Sequence, residues 1–205
     1  MRATRPFHSS LLTLALIALA TTPSDTQAQR PVVVIDAGHG GPDVVVEHEG
    51  WLEKDLVLRI AFVIGSEFVD AGYDVVYTRT RDVPVGWDGR QRIAEEAEAQ
   101  LLFMLHANGN EDTSRNGAEV YANLEDSRHE RLANLVGEEL GRLGAAVVEH
   151  RPWPFLASGT VPTAMIELAF MTNADDRRKL RSTDFHHELG RALVAAGAAA
   201  SSGGS

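Results

Sequence analysis

The sequence predicts a single α/β domain, a sheet of about six strands flanked by helices. Strand-like and helix-like stretches alternate along the body of the chain, as they do where helices cover a sheet. Two runs, Val32–Ile35 and Leu101–Leu105, are wholly apolar, the composition of strands buried on both faces. Both runs stop at turns that carry a histidine: three glycines surround His39, and His106 opens the HANGN stretch. Glycines let the backbone bend sharply and approach a ligand, and ligands of open α/β sheets bind at strand ends.

The elements follow in order. Residues 1–28 read as an export signal, with Arg2 and Arg5 ahead of the uncharged core Leu11–Ala20. That core is too short to span a bilayer comfortably. Thr26-Gln27-Ala28 offers small residues for cleavage after Ala28, the alternative being a retained anchor. The domain is then expected over 29–200, with a frayed tail at 201–205. After the first strand, Pro42–Gly50 reads as a loop in which Val44, Val45 and Val46 precede Glu47, His48 and Glu49. From Leu52 to Ala71, Leu56, Ile60, Ile64 and Phe68 recur every four residues, one face of a helix that Gly72 ends. Asp74–Thr78 reads as a strand, and the Glu-rich Gly86–Ala99 as a solvated helix. Strands are expected at Leu101–Leu105, Ala118–Ala122, Ala145–Val148 and Thr163–Leu168, and helices at Glu125–Leu143 and Asp184–Ala199.

Composition narrows the chemistry. The chain of 205 residues has no cysteine, which excludes disulfides and thiolate metal sites and leaves His, Asp and Glu as metal ligands. Beyond the signal stand 17 basic and 28 acidic side chains, a net charge of −11. Without a basic patch, nucleic acid and anionic membrane surfaces are excluded as partners, and no stable membrane insertion is expected once the signal is cleaved. A negatively charged substrate must be held by local contacts or by a cation.

Four residues carry candidate chemistry. His39 follows the first strand, His106 follows the Leu101–Leu105 run, and Glu53 opens the first long helix close after the His39 turn. In a parallel arrangement all three emerge at one sheet edge. Two His and one Glu with an open fourth position form the ligand set of a catalytic zinc site. Read singly, Glu53 is also a first-turn carboxylate favoured by the helix dipole, and His106 a turn residue. Glu167 lies inside the apolar run Ala164–Leu168. A carboxylate there is costly to bury unless paired or used, and its raised pKa suits a general base. Pointing to solvent from a polar sheet face is the other possibility.

The ordered motifs IDAGHGG, EKD (Glu53–Asp55), TR (Thr78-Arg79), LHAN (Leu105–Asn108), GAEVY (Gly117–Tyr121) and VPTAMIELAFMTNADD (Val161–Asp176) resemble those of the zinc-dependent N-acetylmuramoyl-L-alanine amidases of the type-3 amidase family. The resemblance spans Val32 to about Ala199. It implies a mixed, mostly parallel sheet holding one Zn²⁺, with His39, Glu53 and His106 as ligands and Glu167 as the catalytic glutamate. It further implies hydrolysis of the amide between the lactyl group of N-acetylmuramic acid and L-alanine, so that peptidoglycan or a muropeptide is the substrate and the periplasm or exterior the location. Ala37 stands where the family usually has Pro, and Pro42–Val46 replaces a Gly-rich segment, which bears on substrate preference. No obvious extra helix is expected between His106 and Glu167, so the inserted helix with which some members block their site is not expected. Trp51, Trp87 and Trp153 are either packing residues or a sugar-stacking surface, and Asn108 and Glu119 are candidates to line the cleft. An exported zinc peptidase acting on small peptides and a non-catalytic peptidoglycan-binding relative are the competing readings.

Overall fold

A computed structural model describes residues 29–151, 153–157 and 159–202, so the stretch read as an export signal lies outside the described residues. The chain runs β1 (Val32–Ala37), β2 (Glu47–His48), β3 (Trp51–Leu52), α1 (Glu53–Asp70), β4 (Asp74–Tyr77), α2 (Trp87–Glu96) and β5 (Leu101–Asn108). It continues through β6 (Ala118–Ala122), α3 (Ser127–Gly141), β7 (Ala146–His150), α4 (Pro154–Ala157), β8 (Thr163–Phe170), α5 (Ala174–Leu180) and α6 (Thr183–Ser202). Six strands form one sheet in the order β4-β1-β5-β8-β6-β7. All neighbours are parallel except β6 and β8, so the expected mixed, mostly parallel sheet is the one found.

Strand parity divides the interior into two unequal cores. Odd-numbered residues of β1 and β5 (Val33, Ile35, Leu101, Phe103, Leu105) join Val120, Ile166, the α1 stripe Leu56, Ile60, Ile64 and Phe68, and apolar residues of α3 and α6 in the larger cluster. Even-numbered residues (Val34, Leu102, Met104) face a smaller one with Tyr121, Met165, Ala94 and Leu156, covered by α2 and α4. The periodicity of α1 is thus the imprint of the thick side. On the thin side the same parity brings Asp36, His106, Glu119 and Glu167 up beside the apolar residues.

The structure departs from the sequence reading in four places. The end of the Pro42–Gly50 loop forms the β2–β3 hairpin, turned through Glu49 (φ 50°) and Gly50 (φ 76°), two successive positive φ values being the geometry of a two-residue hairpin turn. The helix α2 is not simply solvated, since Arg90, Gln91 and Ala94 are buried. The short α4 and α5 were not expected; the first is four residues and the second seven, too few to display a period. Finally, α6 extends to Ser202, into the stretch read as a frayed tail.

Asp126 caps α3, its carboxylate accepting from the backbone N–H of Arg128 at 2.9 Å and from the Arg128 guanidinium at 2.7 Å. The Arg128 hydrogen bond holds its pKa below the usual carboxylate range, against a smaller opposing effect of burial. A carboxyl depressed in the folded state contributes stability above its unfolded pKa near 4, and that contribution disappears as pH falls through the folded value. Asp126→Ala is therefore expected to cost about 1 kcal/mol at neutral pH, with the difference from wild type narrowing below about pH 4. Urea unfolding of both proteins at pH 7 and pH 3 checks this.

Candidate metal centre

His39, Glu53 and His106 converge as one cluster at the carboxyl end of β1 and β5. The chain passes from β1 to β4 on one side of it, then crosses to β5 on the other, so the cluster occupies the switch point of the sheet, where clefts form. His39 Nε2, His106 Nδ1 and Glu53 Oε1 lie 3.1, 3.0 and 3.1 Å from one another. Three mutually facing polar atoms, two of them ring nitrogens, cannot all be satisfied by hydrogen bonds among themselves. A cation satisfies all three lone pairs. Donor atoms of a tetrahedral zinc with bonds of about 2.1 Å stand about 3.4 Å apart, so the triangle fits such an ion with small adjustment.

Each of the three candidate ligands is held by its local structure. Glu53 is the first residue of α1, where the helix dipole favours a carboxylate, and its Oε1 also accepts from the Ala107 N–H at 3.1 Å. Burial works against its charge, but hydrogen bonds from His106 and His39 prevail and bring its pKa down to about 2. Burial lowers the pKa of His39, and the Glu53 and Asp43 carboxylates more than reverse this, so it ends above the ordinary value. Asp43 Oδ2 accepts from His39 Nδ1 at 2.9 Å, which turns the Nε2 lone pair toward the cluster. His39 itself has φ 58°, a left-handed conformation that non-glycine residues seldom adopt.

Two buried arginines hold that strained turn. Arg79 donates through Nε to the Ala37 carbonyl (2.8 Å) and through Nη2 to the Gly38 and Lys54 carbonyls (2.8 and 2.7 Å). Arg90 donates to the Ala37 and His39 carbonyls, both at 3.0 Å, and pairs with Asp36. Three consecutive carbonyls of the His39 turn are thereby fixed, and Arg79 joins that turn to the start of α1. Two glycines are steric necessities here. A side chain on Gly38 would stand 2.3 Å from the His106 ring, and one on Gly40 would stand 2.2 Å from the Val83 carbonyl.

Glu167 lies on β8 in register with His106 on β5 and Glu119 on β6. Its Oε2 is buried and has no hydrogen-bond partner among the described residues. Burial chiefly, then the charges of Glu53 and Glu119, raise its pKa to about 8, with His39 opposing. Glu167 is half-buried and lines the cleft, next to the apolar residues packed under α2 and α4, so it faces that cleft and not an open polar face of the sheet. Asn108 lines the cleft, whereas Glu119 sits buried behind it, accepting from Asn108 Nδ2 at 2.9 Å and from Arg115 and Tyr121.

The cleft itself has a volume of about 360 Å³. Val45 and Val46, Trp87, Trp153 and Phe155, and Met165 line it together with the four candidate residues. A larger groove of about 790 Å³ lies at the opposite ends of the strands, beside Leu101 and Val161. Its arginines are engaged, Arg128 with Asp126 and the Thr160 carbonyl and Arg131 with the Ala199 carbonyl, and no metal-ligand cluster lies there among the described residues. Trp51 is apart from the cleft, between the Arg59 and Arg181 guanidinia at 4.8 and 4.7 Å, and is a packing residue. Asp43, Arg79 and Arg90 are the site residues that sequence reasoning missed. The signal for Arg90 was Asp36, a carboxylate ending a buried strand and so requiring a cation.

The family model described as N-acetylmuramoyl-L-alanine amidase (Amidase_3) matches residues 33–198. The chain belongs to this amidase family. Among curated relatives, LytC of Bacillus subtilis (strain 168), an N-acetylmuramoyl-L-alanine amidase, is 28% identical over 194 residues, covering 90% of this chain and 39% of LytC. YqiI of the same organism is 29% identical over 191 residues, 88% of this chain and 92% of its own length. The solved structure of the amidase AmiC2 of Nostoc punctiforme superposes with a TM-score of 0.73 at 28% identity, covering 81% of this chain and 94% of that one. An amidase from Clostridium difficile 630 has the same fold at TM-score 0.78 and 23% identity, covering 86% of this chain and 99% of its own. The chain spans about two fifths of the length of LytC.

If the ring of His106 depends on the bare backbone of Gly38, Gly38→Ala should displace one ligand without unfolding the domain. The expected result is a fall in divalent-cation affinity of about tenfold or more with an unchanged far-ultraviolet dichroism spectrum, read by competition with a chromophoric chelator.

Proposed function

We propose that this chain is an exported zinc amidase that cleaves the bond between N-acetylmuramic acid and L-alanine in peptidoglycan. The observation that carries the proposal is the meeting of His39, Glu53 and His106 within 4.8 Å, with Glu167 on the adjacent strand beside His106. Family membership supports the reaction class, and the features of residues 1–28 support action outside the cytoplasmic membrane, in the periplasm or beyond it, where peptidoglycan lies. No helix among the described residues is long and apolar enough to cross a membrane.

His39, Glu53 and His106 would hold the zinc. The ion, when bound, supplies Lewis acidity that lowers the pKa of a water toward 7 and polarises the scissile carbonyl. Glu167 takes the proton from the attacking water and returns it to the departing amine nitrogen. Its free Oε2 is the atom available for that exchange. Asp43 keeps the proton of His39 on Nδ1, away from the cluster. The buried arginines prevent the His39 turn from relaxing as charge develops.

Glu167→Gln preserves shape and removes the proton acceptor. It is expected to retain a full complement of zinc and to lose roughly 10²–10⁴-fold in turnover, measured by dye release from labelled cell walls alongside metal analysis. His39→Ala and His106→Ala should lose zinc and activity together. Wild-type turnover by Glu167→Gln removes the assigned base, and wild-type zinc in both histidine variants removes the site.

A further inference from the structure

One polar side chain of the cleft lining has no part in holding the ion or moving the proton. Asn108 closes β5, just past the register shift that follows His106. Its amide is pinned at both ends. Oδ1 accepts from the Gly109 N–H at 2.8 Å, and Nδ2 donates to Glu119 Oε2 at 2.9 Å. Turning the amide over would set its oxygen against a carboxylate and its nitrogen against an N–H donor, so the orientation is unambiguous. Glu119 is only 6% exposed and is anchored in turn by donation from Tyr121 and Arg115, the satisfaction that a buried carboxylate requires. An amide nitrogen carries two hydrogens. The second hydrogen of Asn108 Nδ2 has no acceptor among the described residues. The trigonal nitrogen turns that hydrogen away from Glu119, which lies behind the cleft, and Asn108 is a residue of the lining.

We propose that Asn108 is a substrate-contacting residue whose free amide N–H donates to the carbonyl oxygen of the L-alanyl residue, one peptide unit beyond the scissile bond, with Glu119 as its positioning residue; this rests on the amidase reading. Three observations select that acceptor. Glu119 sets a negative charge 2.9 Å behind the donor nitrogen, which opposes a carboxylate or an oxyanion in front of it and favours a neutral carbonyl. No other amide or hydroxyl side chain lines the cleft among the described residues, so none competes for that oxygen. And Asn108 stands two residues beyond His106 on β5, about 7 Å along an extended strand. With the scissile bond at the His39–Glu53–His106 centre, the next neutral carbonyl on the peptide side is one residue away, within reach of that side chain. On the other side of the scissile bond the lactyl ether offers a weaker acceptor.

The test uses the zinc-loaded protein and two uncharged substrates. One is N-acetylmuramoyl-L-alanine methylamide, and the other its analogue with a trans-alkene in place of the alanyl amide, similar in shape but without that oxygen. Wild type should show a KM roughly three- to tenfold lower for the amide than for the alkene, the worth of one neutral hydrogen bond, with kcat within about twofold. Asn108→Ala should raise KM for the amide by that same factor and leave both kcat and the alkene KM within about twofold, so that the variant no longer tells the two substrates apart. Asn108→Ser has a single hydroxyl hydrogen, which Glu119 claims, and should behave likewise; it takes the place of the alanine variant if zinc content or melting temperature shows that variant misfolded. Wild type that does not discriminate overturns the proposal, as do variants that discriminate as wild type does. A fall in kcat of equal size for both substrates overturns it too, since Asn108 would then serve only the architecture. If the protein cleaves neither substrate, calorimetric Kd values replace KM: discrimination by wild type that the variants lose leaves the Asn108 contact standing while the proposed activity falls. Cleavage of both substrates without discrimination leaves the activity standing while the contact falls.

Discussion

The site depends on two guanidinium groups placed against the carbonyls of a turn. The segment from Ala37 to His39 leaves β1 with its carbonyls facing inward, and His39 adopts a backbone conformation it would otherwise avoid. Arg79 and Arg90 occupy those carbonyls. Without them the turn would hold buried unpaired acceptors, each of which costs about 1–3 kcal/mol. The same Arg79 reaches the Lys54 carbonyl, so the loop carrying one imidazole and the helix carrying the carboxylate are positioned by one planar, rigid group. Lysine could not substitute, because it lacks the forked donors that reach several acceptors at once.

The sheet supplies what the arginines do not. Parity along β5 sends Leu102, Met104 and His106 to one face, and parity along β8 sends Met165 and Glu167 to the same face. The register shift between His106 and Asn108 disrupts the ladder at the place where a side chain must be re-aimed, the usual setting of a bulge beside an active site. The thin core beneath α2 and α4 leaves this edge open, whereas the thick side is closed by α1, α3 and α6. One period-2 pattern therefore yields both a stable interior and a reactive mouth.

Much of this was legible beforehand because it rests on local rules. The apolar runs at Val32 and Leu101, the four-residue spacing of Leu56 to Phe68, and the turn glycines around His39 each report a backbone geometry directly. His39, Glu53, His106 and Glu167 were all readable as polar residues where apolar elements begin, end or are interrupted. What escaped depends on long-range partners. Gly86–Ala99 looks solvated because most of its residues are polar, yet Arg90 is consumed by Asp36, 54 positions away. The β2–β3 hairpin has strands of two residues and a Glu-Gly turn, a weaker signal than Asn-Gly. Trp51 could not be told from Trp87 and Trp153 by composition, since what separates them is only which wall each reaches.

The placement of His106 also distributes mobility. The strand that carries it, β5, is hydrogen-bonded to β1 on one side and β8 on the other, so its amides can exchange with solvent only when the centre of the sheet opens, an event that approaches global unfolding in cost. The short α4, Pro154–Ala157, is fastened to the rest of the fold by the fully buried Leu156 and by the hydrogen bond from Gln91 Nε2 to the Phe155 carbonyl. His106 is thus carried by the slowest-opening part of the molecule, and its position changes only with events that approach unfolding.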